Sequence, residues 1–249
     1  MQRENLLITT VGTLDFVSSW LQDDRNFDIA LVYYPQNITE EVKTKLENIA
    51  DYVFYENGFK YTVLKSVLNK HPYLLNYKYF WMPDDDIKLV KGTTNLLFET
   101  ADQYSLGISQ PSTSSKNISW KIVRHKPGYI LRYSNFVEVM CPIFSRSALD
   151  ACLDSFSYSK SGWGLDFLWP TLIEEDVAII DKIMVEHTKK INLEGGALYK
   201  KLLKETGKTP SQEMLELEKK YDLKMEPGIL SFVYEDSILG YLKRKIAGA

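Results

Sequence analysis

Phe80-Trp81-Met82-Pro83-Asp84-Asp85-Asp86-Ile87 is the stretch on which the reading of this chain turns. Tyr77 to Met82 is aromatic and apolar, the composition of a buried strand, and it runs straight into Pro83 and three aspartates. Carboxylates this close repel and raise one another's pKa. A bound cation relieves that. On an extended chain Asp84 and Asp86 project to the same side, so both can approach one Mg²⁺ or Mn²⁺ that also bridges phosphate oxygens. A solvated acidic turn is the competing explanation, and the position at a strand end brings the two level.

Working outward, the same pattern of short apolar strand and amphipathic helix recurs on the N-terminal side. Leu6 to Val11, Asp28 to Tyr34 and Asp51 to Tyr55 read as strands, with helices over Asp15 to Leu21, Thr39 to Leu46 and Tyr61 to Asn69. Such alternation predicts an α/β fold, a mostly parallel sheet flanked by helices with its ligands at the carboxyl ends of the strands. Beyond the acidic triplet the sequence predicts a helix over Thr94 to Tyr104, strands over Leu106 to Ser109 and Phe136 to Met140, and a polar loop over Pro111 to Asn117. A helix over Arg146 to Phe156 and one or two strands over Val177 to Val185, delivering His187, complete that part. From Ala197 to Leu223 the chain becomes charged and helical, with a capping box at Thr209-Pro210-Ser211-Gln212. The organisation read from this is one principal domain over residues 1–192 and a helical appendage over 193–249.

Three further features carry chemistry. His187 ends an apolar strand, where a neutral imidazole can complete a carboxylate-bound Mn²⁺ shell; elsewhere a lone histidine is commonly a hydrogen-bonded structural residue. Gly162-Trp163-Gly164-Leu165-Asp166 offers two permissive glycines, an indole face for a sugar and a carboxylate for general-base work, against the alternative of a packed turn with a capping aspartate. Glu138 stands in an apolar run where an unpaired charge is costly, so it either faces a site or pairs with Arg132 or Arg146. The basic stretch Lys121 to Arg132, flanked by Trp120 and Tyr133, reads as a loop beside donor or acceptor.

These strings resemble a known family. Phe80 to Ile87 looks like the strand and acidic DxD motif of GT-A glycosyltransferases, and Gly162 to Asp166 is similar to their Trp-Gly-x-(Glu/Asp)-Asp segment, with Leu165 standing where many members are acidic. With Ser109-Gln110-Pro111, Val137 to Arg146 and Val185-Glu186-His187, the order resembles the glycosyltransferase-like "domain of unknown function 707" family over about residues 5 to 190. The resemblance implies a GT-A fold and metal-dependent sugar transfer, with inversion, from a nucleotide sugar (UDP-sugar favoured) to a glycan or other hydroxyl acceptor. It implies that Asp84, Asp86 and His187 hold Mn²⁺ or Mg²⁺, that Thr10, Val11 and Gly12 border the nucleoside, and that Lys60 reaches a donor phosphate. Asp84, Asp85 and Trp163 then face the donor, Asp166 is the base, and Glu138 is a second catalytic candidate. A nucleotidyltransferase is the alternative enzyme, although Val11-Gly12-Thr13 lacks the expected glycine-rich basic loop; a nucleotide- or sugar-binding module without turnover is the non-enzyme alternative.

Charge sets limits on partners. A formal net charge of -3 provides no global field for polyanions, so nucleic acid is not an expected partner. Two cysteines, Cys141 and Cys152, are too few for a disulfide framework. Together with an N-terminal apolar stretch too short for a signal core, this leads to the expectation of a cytoplasmic protein. Ile238 to Ile246 combines apolar and basic residues, and is read either as a solvated helix or as a peripheral contact with the inner face of the membrane.

Overall fold

The structure, a computed structural model, describes residues 3–114, 118–189 and 196–235. In chain order its strands and helices are β1 (Asn5–Val11), β2 (Phe27–Tyr33), α1 (Glu40–Ile49), β3 (Tyr52–Tyr55), α2 (Lys60–Lys70), β4 (Tyr79–Trp81), β5 (Ile87–Lys91), α3 (Thr94–Gln103) and β6 (Ile108–Thr113). There follow β7 (Tyr129–Ser134), β8 (Ile143–Ser145), α4 (Arg146–Cys152), α5 (Leu165–Leu168), β9 (Val177–His187), α6 (Ala197–Thr206), α7 (Pro210–Tyr221) and β10 (Ile229–Tyr234). The strands form a single mixed sheet in the order β10-β7-β9-β6-β8-β4-β1-β2-β3, with β5 paired to β9. β1 is parallel to β2 and β4, as the strand-helix alternation requires.

Successive side chains of β1 alternate between two apolar layers. Leu6 and Ile8 face one, with α2, α4 and Leu217 of α7; Leu7 and Val11 face the other, with Leu46 of α1 and Phe98 of α3. All four β1 side chains are wholly buried, each adding about 1.5–3 kcal/mol of burial. Cys141 and Cys152 are buried free thiols. No described helix is long and apolar enough to cross a membrane.

Several elements differ from the sequence reading, for identifiable reasons. Asp15–Leu21 contains only a 3₁₀ turn at Val17–Trp20. Phe136 to Met140, buried as far as Glu138 and half-buried beyond, is irregular: Phe136 N donates to Ser134 Oγ at 3.1 Å and Glu138 N to Gln110 Oε1, side chains instead of a neighbouring strand. β6 runs on through Pro111, which sits at a register shift where a missing amide is tolerated, so only the end of the expected polar loop remains and residues 115–117 lie outside the described part. The basic stretch before Arg132 contains the start of β7, with Arg132 locked to Asp181 at 2.6 Å. After residue 196 the stretch expected to be helical forms two helices, and α7 carries the expected capping box. β10 then adds an edge strand to β7, which the helical reading did not include. Ile238–Ile246 lies outside the described residues.

Candidate active site

β4 aims the acidic string at the carboxyl end of the sheet, and there the chain turns. Ile87 N donates to Asp84 O at 3.2 Å while Asp84 N is held by Met140 O at 2.7 Å. The segment is a turn and not the expected extended chain; each carboxylate has a partner of its own, and Asp85 and Asp86 also share Lys189, 3.5 Å from Asp85 Oδ1. Asp84 Oδ1 meets Lys60 Nζ at 2.6 Å. Asp85 Oδ2 accepts from Gly12 N at 2.8 Å and from the Tyr34 hydroxyl at 3.3 Å. Asp86 Oδ2 lies 3.4 Å from His187 Nε2 and 3.6 Å from Lys189 Nζ.

The antiparallel pairing of β5 with β9 brings His187 to this turn. It places Ile87 opposite His187, so Asp86 is one residue from register with it, and Thr188 N closes the junction on Asp86 O at 3.0 Å. Burial would raise Asp86, but hydrogen bonding and charge from His187, with Lys189, hold its carboxyl below the usual range. His187 is pushed up in turn, since the charges of Asp86 and Asp84 outweigh its burial. Asp84 is raised by the crowding of protein around it, opposed by Lys60.

No group of three or more His, Cys, Asp and Glu among the described residues stands ready to hold a metal. The smaller set nevertheless fits one. Asp86 Oδ1 is buried and has no hydrogen-bond partner among the described residues, and an orphaned carboxylate oxygen beside an imidazole suits a divalent ion whose remaining ligands come from phosphate and water.

Behind the turn lies a second acidic pair. Glu138 is 4% exposed and its Oε2 has no hydrogen-bond partner among the described residues. Its expected cationic partners are occupied elsewhere, Arg132 by Asp181 and Arg146 by Asp150 at 2.8 Å. Burial, followed by the charges of Asp166 and Asp84, pushes Glu138 up to about 8. Asp166, in the first turn of α5, accepts from Gly164 N at 3.1 Å; burial raises it to about 7 against the pull of nearby backbone amides.

The glycines of the Gly-Trp-Gly string serve geometry more than approach to a ligand. Gly162 and Gly164 have φ of +84° and +89°, and a Cβ on Gly164 would stand 3.0 Å from Leu217 Cδ1 of α7. Trp163 between them is half-buried, its ring 6.1 Å from that of Tyr199.

Thr10 and Val11 end β1, and Gly12 follows them with its amide on Asp85. A Cβ on Gly12 would run into the Tyr34 ring, so a side chain there would have to displace that tyrosine from Asp85. Lys60, expected to reach a donor phosphate, here meets Asp84, Val139 O (3.1 Å) and Met140 O (3.1 Å). Tyr34, Tyr61 and Lys189 are site residues the sequence reading missed. Tyr61 donates to Val139 O beside Lys60. The signals available were a tyrosine at a strand's carboxyl end, a tyrosine next to Lys60, and a lysine two residues beyond His187.

No protein-family model and no curated protein matches the chain. Among solved structures, GalNAc-T7 with UDP, GalNAc and Mn²⁺ is similar with a TM-score of 0.60 at 14% identity, over 86% of this chain and 47% of that one. TarS 1–349 of S. aureus in complex with UDP-GlcNAc gives 0.52 at 9% identity, over 87% and 72%. A second structure of TarS 1–349 gives 0.48 at 11% identity, over 74% of this chain and only 60% of that one. At such identities the likeness is one of fold, and the chain has the α/β GT-A fold, a mixed sheet flanked by helices.

Proposed function

We propose that this chain is a divalent-metal-dependent glycosyltransferase that moves a sugar from a nucleotide sugar, UDP-sugar favoured, to an acceptor hydroxyl with inversion, and that it belongs with the domain of unknown function 707 family its motifs resemble. The observation that carries the proposal is the meeting of the Asp84–Asp86 turn with His187 across the β5–β9 pairing, with the buried Asp166 and Glu138 behind it. Asp86 and His187 would hold the ion, and Asp84, one oxygen of which is fixed by Lys60, would complete the acidic side. When bound, such an ion would supply Lewis-acid neutralisation of the nucleoside diphosphate's charge.

The chain's own residues do the rest. Thr10, Val11 and Gly12 border the nucleoside, with Tyr34 standing over Gly12 and tied to Asp85. Trp163 gives the sugar an indole face. Asp166, raised to about 7, takes the proton from the acceptor hydroxyl; a base with a pKa near the working pH combines availability with driving force. Glu138, raised to about 8, stays protonated at neutral pH and so spares Asp166 a neighbouring negative charge.

A panel of nucleotide sugars incubated with the chain and Mn²⁺ tests this. Slow release of free sugar and nucleoside diphosphate is expected. Pyrophosphate release would instead indicate a nucleotidyltransferase, and nucleotide binding with no turnover a binding module.

A further inference from the structure

Glu213 is a carboxylate 7% exposed on α7, a helix otherwise rich in surface charge. A buried charge is costly unless fully hydrogen-bonded, and here every partner comes from one short loop more than fifty residues earlier. Oε1 accepts from Lys160 N at 3.1 Å, and Oε2 accepts from Ser161 N at 2.8 Å and Ser159 Oγ at 3.2 Å. That loop leads directly to Asp166. Ser161 Oγ accepts from Trp163 N at 3.2 Å, Leu165 N donates to Gly162 O at 3.1 Å, and Gly164 N holds Asp166 Oδ1 at 3.1 Å.

One helical turn beyond Glu213, Leu217 presses on Gly164 so closely that a Cβ there would sit 3.0 Å from its Cδ1. Positions four apart share a helix face. A single face of α7 therefore grips the loop on both sides of Trp163, by charge at Glu213 and by shape at Leu217.

We propose that α7 is a brace for the segment bearing Trp163 and Asp166, and that Glu213 is the positioning residue through which it acts. The inference rests on the reading of Asp166 as the base. It assigns the charged C-terminal helix a part in the reaction: holding the base loop at a fixed distance from the acidic turn.

The test uses the full chain with Glu213→Gln, which keeps the shape and one acceptor oxygen, and Glu213→Ala. In Glu213→Ala the amides of Lys160 and Ser161 should exchange with deuterium about tenfold faster, while those of β1 and β4 are unchanged. The kcat should fall about 10- to 100-fold with donor KM within about twofold, because misplacing a catalytic group harms the chemical step more than donor binding. Glu213→Gln should lie between. Unchanged exchange at residues 160–161 in both variants, or faster exchange with unaltered kcat, overturns the proposal. If the parent transfers no sugar, the glycosyltransferase reading fails by itself, and the exchange data still decide whether the brace exists.

Discussion

Asp166 and Glu138 are two buried carboxyls with separate duties, and their separation predicts specific pH behaviour. As pH rises through about 7, Asp166 loses its proton and becomes a competent base, so kcat/KM should rise along a limb with its midpoint there. Asp166→Asn should lower transfer by about 10² to 10⁴-fold with donor affinity nearly unchanged, and NMR of the product should show inverted anomeric configuration. Near-parental turnover or a retained anomer would remove Asp166 from the role. Glu138 gives a stability test. Its folded pKa of about 8 lies above the ordinary 4.5, so the folded state holds the proton more tightly, and the stability linked to it is full below about 4.5 and lost as pH rises toward 8. Glu138→Gln should therefore gain in Tm relative to the parent by about 2 °C or more between pH 5 and pH 8; a constant difference contradicts a buried, titrating Glu138. His187 could be picked out in the sequence because it ends a strand, and Asp166 because it follows the Gly-Trp-Gly string at the start of α5. Tyr34 and Lys189 were not, since nothing in the string near Gly12 says that a tyrosine two strands' length away leans over it.

At the level of elements, β1, β2 and β4 could be read because strands buried on both faces write nearly uninterrupted apolar runs, and β3, a part-exposed edge strand, because its run is aromatic and β-branched. Phe136–Met140 writes a similar run and is no strand: burial alone does not supply a partner ladder, and its amides and carbonyls are taken by Ser134, Gln110, Lys60 and Tyr61. β5, β7 and β10 carry charged or exposed residues at an edge or in short pairings, and so lack that signature. The acidic string differed in its backbone, because Asp84 and Asp86 were expected on an extended chain and stand in a turn. The loop before α5 offers an element-scale test in Gly164→Ala, which meets both a φ of +89° and Leu217. A cost of about 1–3 kcal/mol is expected, measured as a lower denaturant midpoint at unchanged m-value; a neutral substitution would mean that α7 does not press on this loop.

For the whole molecule, the GT-A sheet explains why residues from the first, fourth and ninth strands meet. β1 delivers Gly12, β4 delivers the aspartates, and the antiparallel pairing of β5 with β9 returns His187 to them. That assembly leaves Asp86 Oδ1 buried and without a described partner, an arrangement a cation would stabilise and a ligand selective for the native state would reveal. Calorimetric titration of UDP into the chain, in Mn²⁺ and in EDTA, with Asp86→Ala and His187→Ala alongside, tests the account most directly. UDP should bind about tenfold or more tightly in Mn²⁺ than in EDTA, with the difference lost in Asp86→Ala and reduced in His187→Ala. Equal affinity in Mn²⁺ and in EDTA would contradict it.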